Sequence, residues 1–271
     1  MPDGSMKGKN RMKIPGETSA PSPLVAPTLD LATKGRRGVW IDVPHPASLE
    51  LIAAEGPDWV CIDGQHGHPD FQDMLGLVDA ANVFGVPAMV RVQGHEVGGA
   101  GRVIDAGAQG IIFPTVEDGE SAERLVRACR FSPRGSRSYG PVRRAPRYAK
   151  ATPGVLADDP LAILMVETRA GYENLDAILA AGPDAIFVGP YDLSLSLGVD
   201  FDALLASDPD GVLRDIAQRC ADAGVSAGIY TGSPALSEAP LGWGYSFMPV
   251  ASDFSLISTA ARSILAQAGG M

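Results

Sequence analysis

The chain has 271 residues and carries 22 Lys and Arg against 32 Asp and Glu, a formal net charge of −10. That acidic balance argues against nucleic acid and anionic membrane surfaces as partners, and no apolar run approaches the roughly 20 residues of a membrane span. The length is large for one ordinary domain but suits a single α/β barrel of about 250 residues.

Residues 1–34 are rich in Lys, Pro, Ser and Gly and lack the apolar core of a secretory signal, so they read as a disordered extension ahead of one domain over 35–271. From Gly38 onward apolar, β-branched runs recur in chain order: "GVWIDV" (38–43), "WVCIDG" (59–64), "PAMVRV" (87–92), "GIIFPTV" (110–116), "LAILMVET" (161–168), "AIFVGPYD" (185–192), "SAGIYT" (226–231) and "YSFMPVAS" (245–252). Between most of them lie stretches with helical spacing, such as "SLELIAAEG", "SAERLVRACR", "ENLDAILAAG" and "VLRDIAQRCADAG", several ending in a C-terminal Gly. Strands alternating with helices imply a parallel sheet, and eight units imply a closed (β/α)8 TIM barrel. An open doubly wound sheet is the rival, but no G-x-G-x-x-G follows an early strand. The longest interruption, 117–160, holds one helix and then the cationic "SPRGSRSYGPVRRAPRYAKATPG". It reads either as a solvated loop or as a lid or subunit contact presenting cations to an anionic substrate. Cys61, Cys129 and Cys220 are odd in number and far apart, as expected of reduced thiols in a cytoplasmic protein.

Barrel chemistry gathers at the C-terminal ends of the strands. There the sequence places Asp63-Gly64-Gln65-His66 after strand two, Arg91 at strand three, Glu167-Thr168 at strand five and Asp192 at strand six. Glu167 and Asp192 lie one β/α unit apart, on neighbouring strand ends. Two carboxylates at a crowded mouth repel unless a proton or a cation intervenes. They suit either a general acid/base pair or two ligands of Mg²⁺ or Mn²⁺. The five lysines, at 7, 9, 13, 34 and 150, end no strand, so a Schiff-base mechanism has no candidate. Arg91 fits either a structural ion pair or a bidentate clamp on carboxylate or enolate oxygen. His66, three residues after Asp63, fits a general base oriented by that acid; His45, His68 and His95 are rivals.

"DWVCIDGQHG", "PAMVRV", "DAGAQGIIFPTVEDGESAERLVRACRFSPRGSRSYGP", "VETRAGYENLDAIL" and "DAIFVGPYDLSLSLG", in that order, resemble the metal-dependent class II pyruvate aldolases of the HpcH/HpaI type. The resemblance covers roughly residues 35–260. It implies a divalent-metal-dependent lyase that makes or breaks a C–C bond between a pyruvate-type enolate and an aldehyde, assembled as a homo-hexamer or trimer of dimers. It implies Glu167 and Asp192 as ligands of Mg²⁺, Mn²⁺ or Co²⁺. Arg91 would bind the carboxylate and keto oxygen of a small-molecule 2-oxo acid, and the backbone of Gly189, Pro190 and Tyr191, with Gln65 nearby, would contact the pyruvate unit. His66 would be the base with Asp63 beside it. Asp105 matches an acid that raises the basicity of this histidine, and it precedes strand four, so it would serve a mouth only from a neighbouring subunit. Four positions depart from the family pattern: Gln65 for a usual Glu, Met165 for a frequent Gln, Ser138 after Gly135-Ser136-Arg137 where a Gly is usual, and Tyr191 for a small residue. The nearest alternatives are oxaloacetate decarboxylation or a macrophomate-synthase-like enolate reaction, then a CoA-ester lyase or a non-catalytic 2-oxo acid binder.

Overall fold

Period-two burial organises the molecule. In the computed structural model, which describes residues 29–140 and 160–269, eight parallel strands close in chain order into one barrel. They are β1 (Arg36–Ile41), β2 (Trp59–Asp63), β3 (Ala88–Arg91), β4 (Gly110–Phe113), β5 (Leu161–Val166), β6 (Ala185–Val188), β7 (Ser226–Ile229) and β8 (Phe247–Ser252). Helices α1 (Pro46–Ala54), α2 (Phe71–Val83), α3 (Val97–Ala106) and α4 (Gly119–Ala128) cover the first half. The second half carries α5 (Arg169–Glu173), α6 (Leu175–Ala180), α7 (Pro190–Leu197), α8 (Phe201–Ser207), α9 (Val212–Asp222), α10 (Pro234–Trp243) and α11 (Asp253–Ala268). The expected (β/α)8 TIM barrel is the observed fold. The expected extension lies outside the described residues over 1–28, as does most of the cationic stretch, over 141–159. Leu31 is described and buried, and its carbonyl accepts a 2.5 Å hydrogen bond from Ser246 Oγ.

Successive strand residues alternate between two cores. Val39, Ile41, Val60, Ile62, Val90 and Val188 pack outward against the helices. Trp40, Trp59, Cys61, Met89, Met165, Phe187 and Phe247 point inward and fill the barrel. Trp40 stacks on Phe187 at 5.8 Å and Phe187 meets Phe247 at 5.7 Å, so the interior is a packed aromatic plug rather than a pore. Gly38 and Gly228 make room for it: a Cβ on the first would collide with the Trp59 ring and on the second with the Phe247 ring.

Several strands are shorter than the apolar runs suggest. The run expected to be strand over 185–192 stops at Val188, Gly189 caps α7, and Pro190 is its first residue. Proline fixes the φ that a first helical turn needs and has no N–H to leave unbonded. Asp192 therefore sits in the first turn of a helix, where an acid is favoured by the N–H groups of that turn, and not on the strand itself.

Gly228→Ala tests the plug. Forcing a methyl group against Phe247 costs about 1–3 kcal/mol by overpacking. Urea unfolding is expected to show a lowered midpoint with an unchanged slope.

Candidate active site

The inward positions continue past the strand ends and define the mouth. Asp63 pairs in register with Arg91 across β2 and β3. The Val166↔Val188 and Val188↔Ile229 pairings, carried one residue on, bring Glu167 beside Gly189 and Gly189 beside Tyr230. The Ile41↔Ile62 pairing likewise brings Asp42 beside Asp63.

At the centre is a buried ion pair. Arg91 donates to Asp63 through Nε at 2.9 Å and through Nη2, and Trp40 Nε1 donates to the same carboxylate at 3.1 Å. The backbone N–H groups of Gln65 and His66 complete the carboxylate's shell at 2.9 and 3.2 Å. Burial by itself would raise the Asp63 carboxyl, but the Arg91 hydrogen bonds and charge, with Trp40 and Gln65, outweigh it and hold it below the usual range. The guanidinium lies 5.1 Å from the Trp40 ring centroid. Two of its nitrogens are engaged by Asp63, and Nη1 has no partner among the described residues.

Opposite lies a carboxylate held by a strained turn. Glu167 is 4% exposed, and its Oε1 accepts from the Thr115 backbone N–H and from Thr115 Oγ1, both at 2.8 Å. Thr115 adopts φ of 53°, a left-handed conformation that costs a non-glycine residue about 1–2 kcal/mol and aims both donors at one oxygen. Glu167 Oε2 keeps no partner among the described residues. A Cβ on Gly189 would come within 2.5 Å of that oxygen, so only glycine leaves its approach open. Burial, and next to it the Asp192 charge against the Thr115 hydrogen bonds, raises the Glu167 carboxyl. A free oxygen on a buried carboxylate, an exposed acid on the next β/α unit and repulsion between them form a donor set that fits a hard divalent cation. No group of three or more His, Cys, Asp or Glu suited to a metal occurs among the described residues, so such an ion would take two protein ligands and leave positions for substrate.

The structure separates the histidines. His45 caps α1 through Nδ1, His95 Nε2 lies 2.8 Å from the Pro114 carbonyl, and His68 meets the Phe254 ring edge-on at 5.7 Å. His66 is exposed and its ring has no partner among the described residues. The Asp63 carboxylate accepts from the backbone N–H of His66 and from Arg91, and not from the His66 ring. Gln65 Oε1 is buried without a hydrogen bond, an acceptor awaiting a donor. Tyr191 leaves the mouth and packs on Phe201 at 5.1 Å. Asp105 is not brought to this mouth: it sits near the end of α3, at the opposite face of the barrel, and accepts from Arg137 Nη2 at 2.7 Å. Trp40, Asp42, Thr115 and Tyr230 are mouth residues that the strand-end reading passes over. The alternation in "GVWIDV" carries the signal for the first two, whereas nothing in the sequence marks Thr115.

Removing one partner of a buried pair leaves an uncompensated charge, so Arg91→Met is expected to destabilise the fold by about 3–5 kcal/mol near neutral pH. Adding Asp63→Asn should recover much of that loss in denaturant titrations. Because Asp63 titrates lower in the fold than in the unfolded chain, its stabilisation is full above about pH 4 and fades as pH falls through the folded value. Acid titration of Asp63→Asn is therefore expected to be shallower than that of the parent.

A model of the HpcH/HpaI aldolase/citrate lyase family matches residues 36–260. A hydroxypyruvate/pyruvate aldolase from Rhizorhabdus wittichii is 34% identical over 233 residues, spanning 84% of this chain and 92% of the relative. A 2-keto-3-deoxy-L-rhamnonate aldolase from Klebsiella pneumoniae is 36% identical over 230 residues, spanning 82% and 85%. The crystal structure of macrophomate synthase aligns with a TM-score of 0.76 at 26% identity, covering 86% of this chain and 84% of that one. Sequence, barrel and relatives agree, and this chain belongs to the HpcH/HpaI aldolase/citrate lyase family.

Proposed function

We propose that the protein is a divalent-metal-dependent carbon–carbon lyase that cleaves or forms the bond between a pyruvate-type enolate and an aldehyde. The observation that carries this reading is the convergence on one mouth of a half-free buried carboxylate, Glu167, and a guanidinium, Arg91, whose charges act on each other and one of whose nitrogens has no partner among the described residues. The aldolase relatives support the same reaction class.

Glu167 and Asp192 would hold Mg²⁺, Mn²⁺ or Co²⁺, which when bound supplies Lewis acidity to the 2-oxo acid. Arg91 Nη1 would donate to the substrate's keto oxygen, where negative charge gathers as the C–C bond breaks. Asp63 and Trp40 fix the guanidinium so that this donor needs no reorganisation. The backbone of Gly189, Pro190 and Tyr191 at the start of α7 would seat the 2-oxo acid, and Gln65 Oε1 would accept from a donor on it. His66 would take the proton of the aldol hydroxyl in cleavage while the bonding electrons pass to the 2-oxo acid. The aldehyde then leaves, and protonation of the enolate gives pyruvate.

The same reading makes the protein a cytoplasmic homo-oligomer, hexamer or trimer of dimers, in which Asp105 of a neighbouring copy would approach His66. Supporting it, Asp253 is the only buried residue of α11 among the described residues, and Phe254, Leu256, Ile257, Ile264 and Leu265 are exposed, an apolar surface a lone subunit would leave in water. No described helix is long and apolar enough to cross a membrane.

EDTA should abolish turnover of oxaloacetate and of pyruvate with small aldehydes, and Mg²⁺, Mn²⁺ or Co²⁺ should restore it. Borohydride with pyruvate should leave no adduct. Full activity in chelator refutes the proposal. Arg91→Lys keeps the charge and loses the fork, and is expected to lower kcat/KM at least about tenfold, since a charge-assisted hydrogen bond is worth roughly 1.5–3 kcal/mol.

A further inference from the structure

One inward-facing carboxyl at the mouth has no part in this scheme. Asp42 follows β1 at the parity of Trp40, and the β1–β2 register sets it beside Asp63. Its backbone is fixed on both sides: its N–H donates to both carboxylate oxygens of Asp253 at 3.1 Å, and its carbonyl accepts from the His68 N–H at 3.0 Å. Its own carboxyl caps no helix and has no hydrogen-bond partner among the described residues. The charged guanidinium that could serve it, Arg91, is already engaged by Asp63.

The groups that face it make the position costly. Burial first, then the charges of Asp63 and Asp253, push the Asp42 carboxyl up to about 6, against the opposing pull of Arg91 and His68. Tyr230, from the end of β7, also faces it: burial and then the Asp42 charge push that phenol up. In an eight-stranded barrel β1 stands opposite β5, so Asp42 looks across the mouth toward Glu167. A substrate held at its 2-oxo acid end by Glu167 and Arg91 would extend its other end toward Asp42.

We infer that Asp42 is a specificity-determining residue that accepts a hydrogen bond from a hydroxyl group on the aldehyde part of the substrate, so that the enzyme takes neutral hydroxylated aldehydes and rejects those carrying a carboxylate. This rests on the aldol reading above. A hydroxyl supplies the donor that the fold withholds. A substrate carboxylate would instead add a further negative charge beside Asp42, on top of those of Asp63 and Asp253. Asp42 is half-buried, and a substrate that fills the mouth without a matching donor would leave it unpaired, which is what makes such selection sharp.

The test uses the full-length protein with Mg²⁺ and pyruvate, and compares kcat/KM for D-glyceraldehyde with that for succinic semialdehyde. Oxaloacetate decarboxylation, which needs only the 2-oxo acid end, is run in parallel. The parent is expected to favour glyceraldehyde, and Asp42→Ala to lower that ratio at least tenfold, chiefly through KM. Asp42→Asn keeps an acceptor oxygen and loses the charge, so it should admit succinic semialdehyde while retaining glyceraldehyde. The parent's rejection of succinic semialdehyde should relax as pH falls below about 6, and that relaxation should vanish in Asp42→Asn. Because Asp42 titrates higher in the fold than in the unfolded chain, its charge weighs against the fold above that pH. Asp42→Asn should then raise the melting temperature at pH 8, by a margin that narrows as pH falls. Unchanged aldehyde ratios in both variants, with oxaloacetate still turned over, overturn the inference and leave the aldol reading standing. A lowered melting temperature at pH 8 marks Asp42 as structural and also overturns it. A parent that turns over neither oxaloacetate nor either aldehyde overturns both.

Discussion

The mouth of this barrel depends on one ion pair closed off from water. Asp63 and Arg91 occupy facing register positions on β2 and β3, and neither would be tolerated there alone. Five donors converge on the Asp63 carboxylate, two from Arg91 and one each from Trp40, Gln65 and His66. That shell turns an expensive buried charge into a rigid post. The aromatic plug below transmits the rigidity, since Trp40 is at once a donor to Asp63, a stacking partner of Phe187 and an edge for Tyr230 at 5.3 Å. In the proposed reaction Arg91 would present its remaining nitrogen with its side chain already ordered.

The opposite wall is built by a different device. Thr115 sits in a conformation that an isolated chain would rarely adopt, and both of its donors meet one oxygen of Glu167. Local strain of this kind persists where surrounding contacts over-determine it. The outcome is asymmetric: one oxygen of Glu167 is satisfied by the fold and the other is left for something else. Gly189 keeps that second oxygen accessible. Among the described residues no hydrogen bond or ion pair joins the two walls, so the gap between them is set by the barrel and not by either side chain.

The barrel itself was legible because alternating burial and repeated β/α units leave strong periodic traces. Glu167, Arg91 and Asp63 were legible for the same reason, as polar residues ending apolar runs. What escaped depends on direction rather than composition. Asp42 stands inside "GVWIDV", one step beyond the last paired residue of β1, and only the parity of Trp40 reveals that it turns inward. The placement of Asp192 in α7 follows from Pro190 as a helix opener, a signal present in the sequence but read there as a strand end. Thr115 left no trace, because a left-handed threonine is imposed by its neighbours. The carboxylate of Asp63 serves Arg91 rather than the His66 ring, a choice that spacing alone does not make.

Asp253 gives the architecture a temporal side. This fully buried acid at the start of the last helix holds the backbone N–H groups of Asp42 and Val43, residues that precede it by 211 and 210 positions. Contacts that close so long a stretch of chain carry a large loop-closure entropy and form late. The first strand is thus made long before α11, yet its outer end is anchored only once α11 is in place. A chain that has assembled most of the wall still lacks a finished mouth until α11 docks against the end of β1.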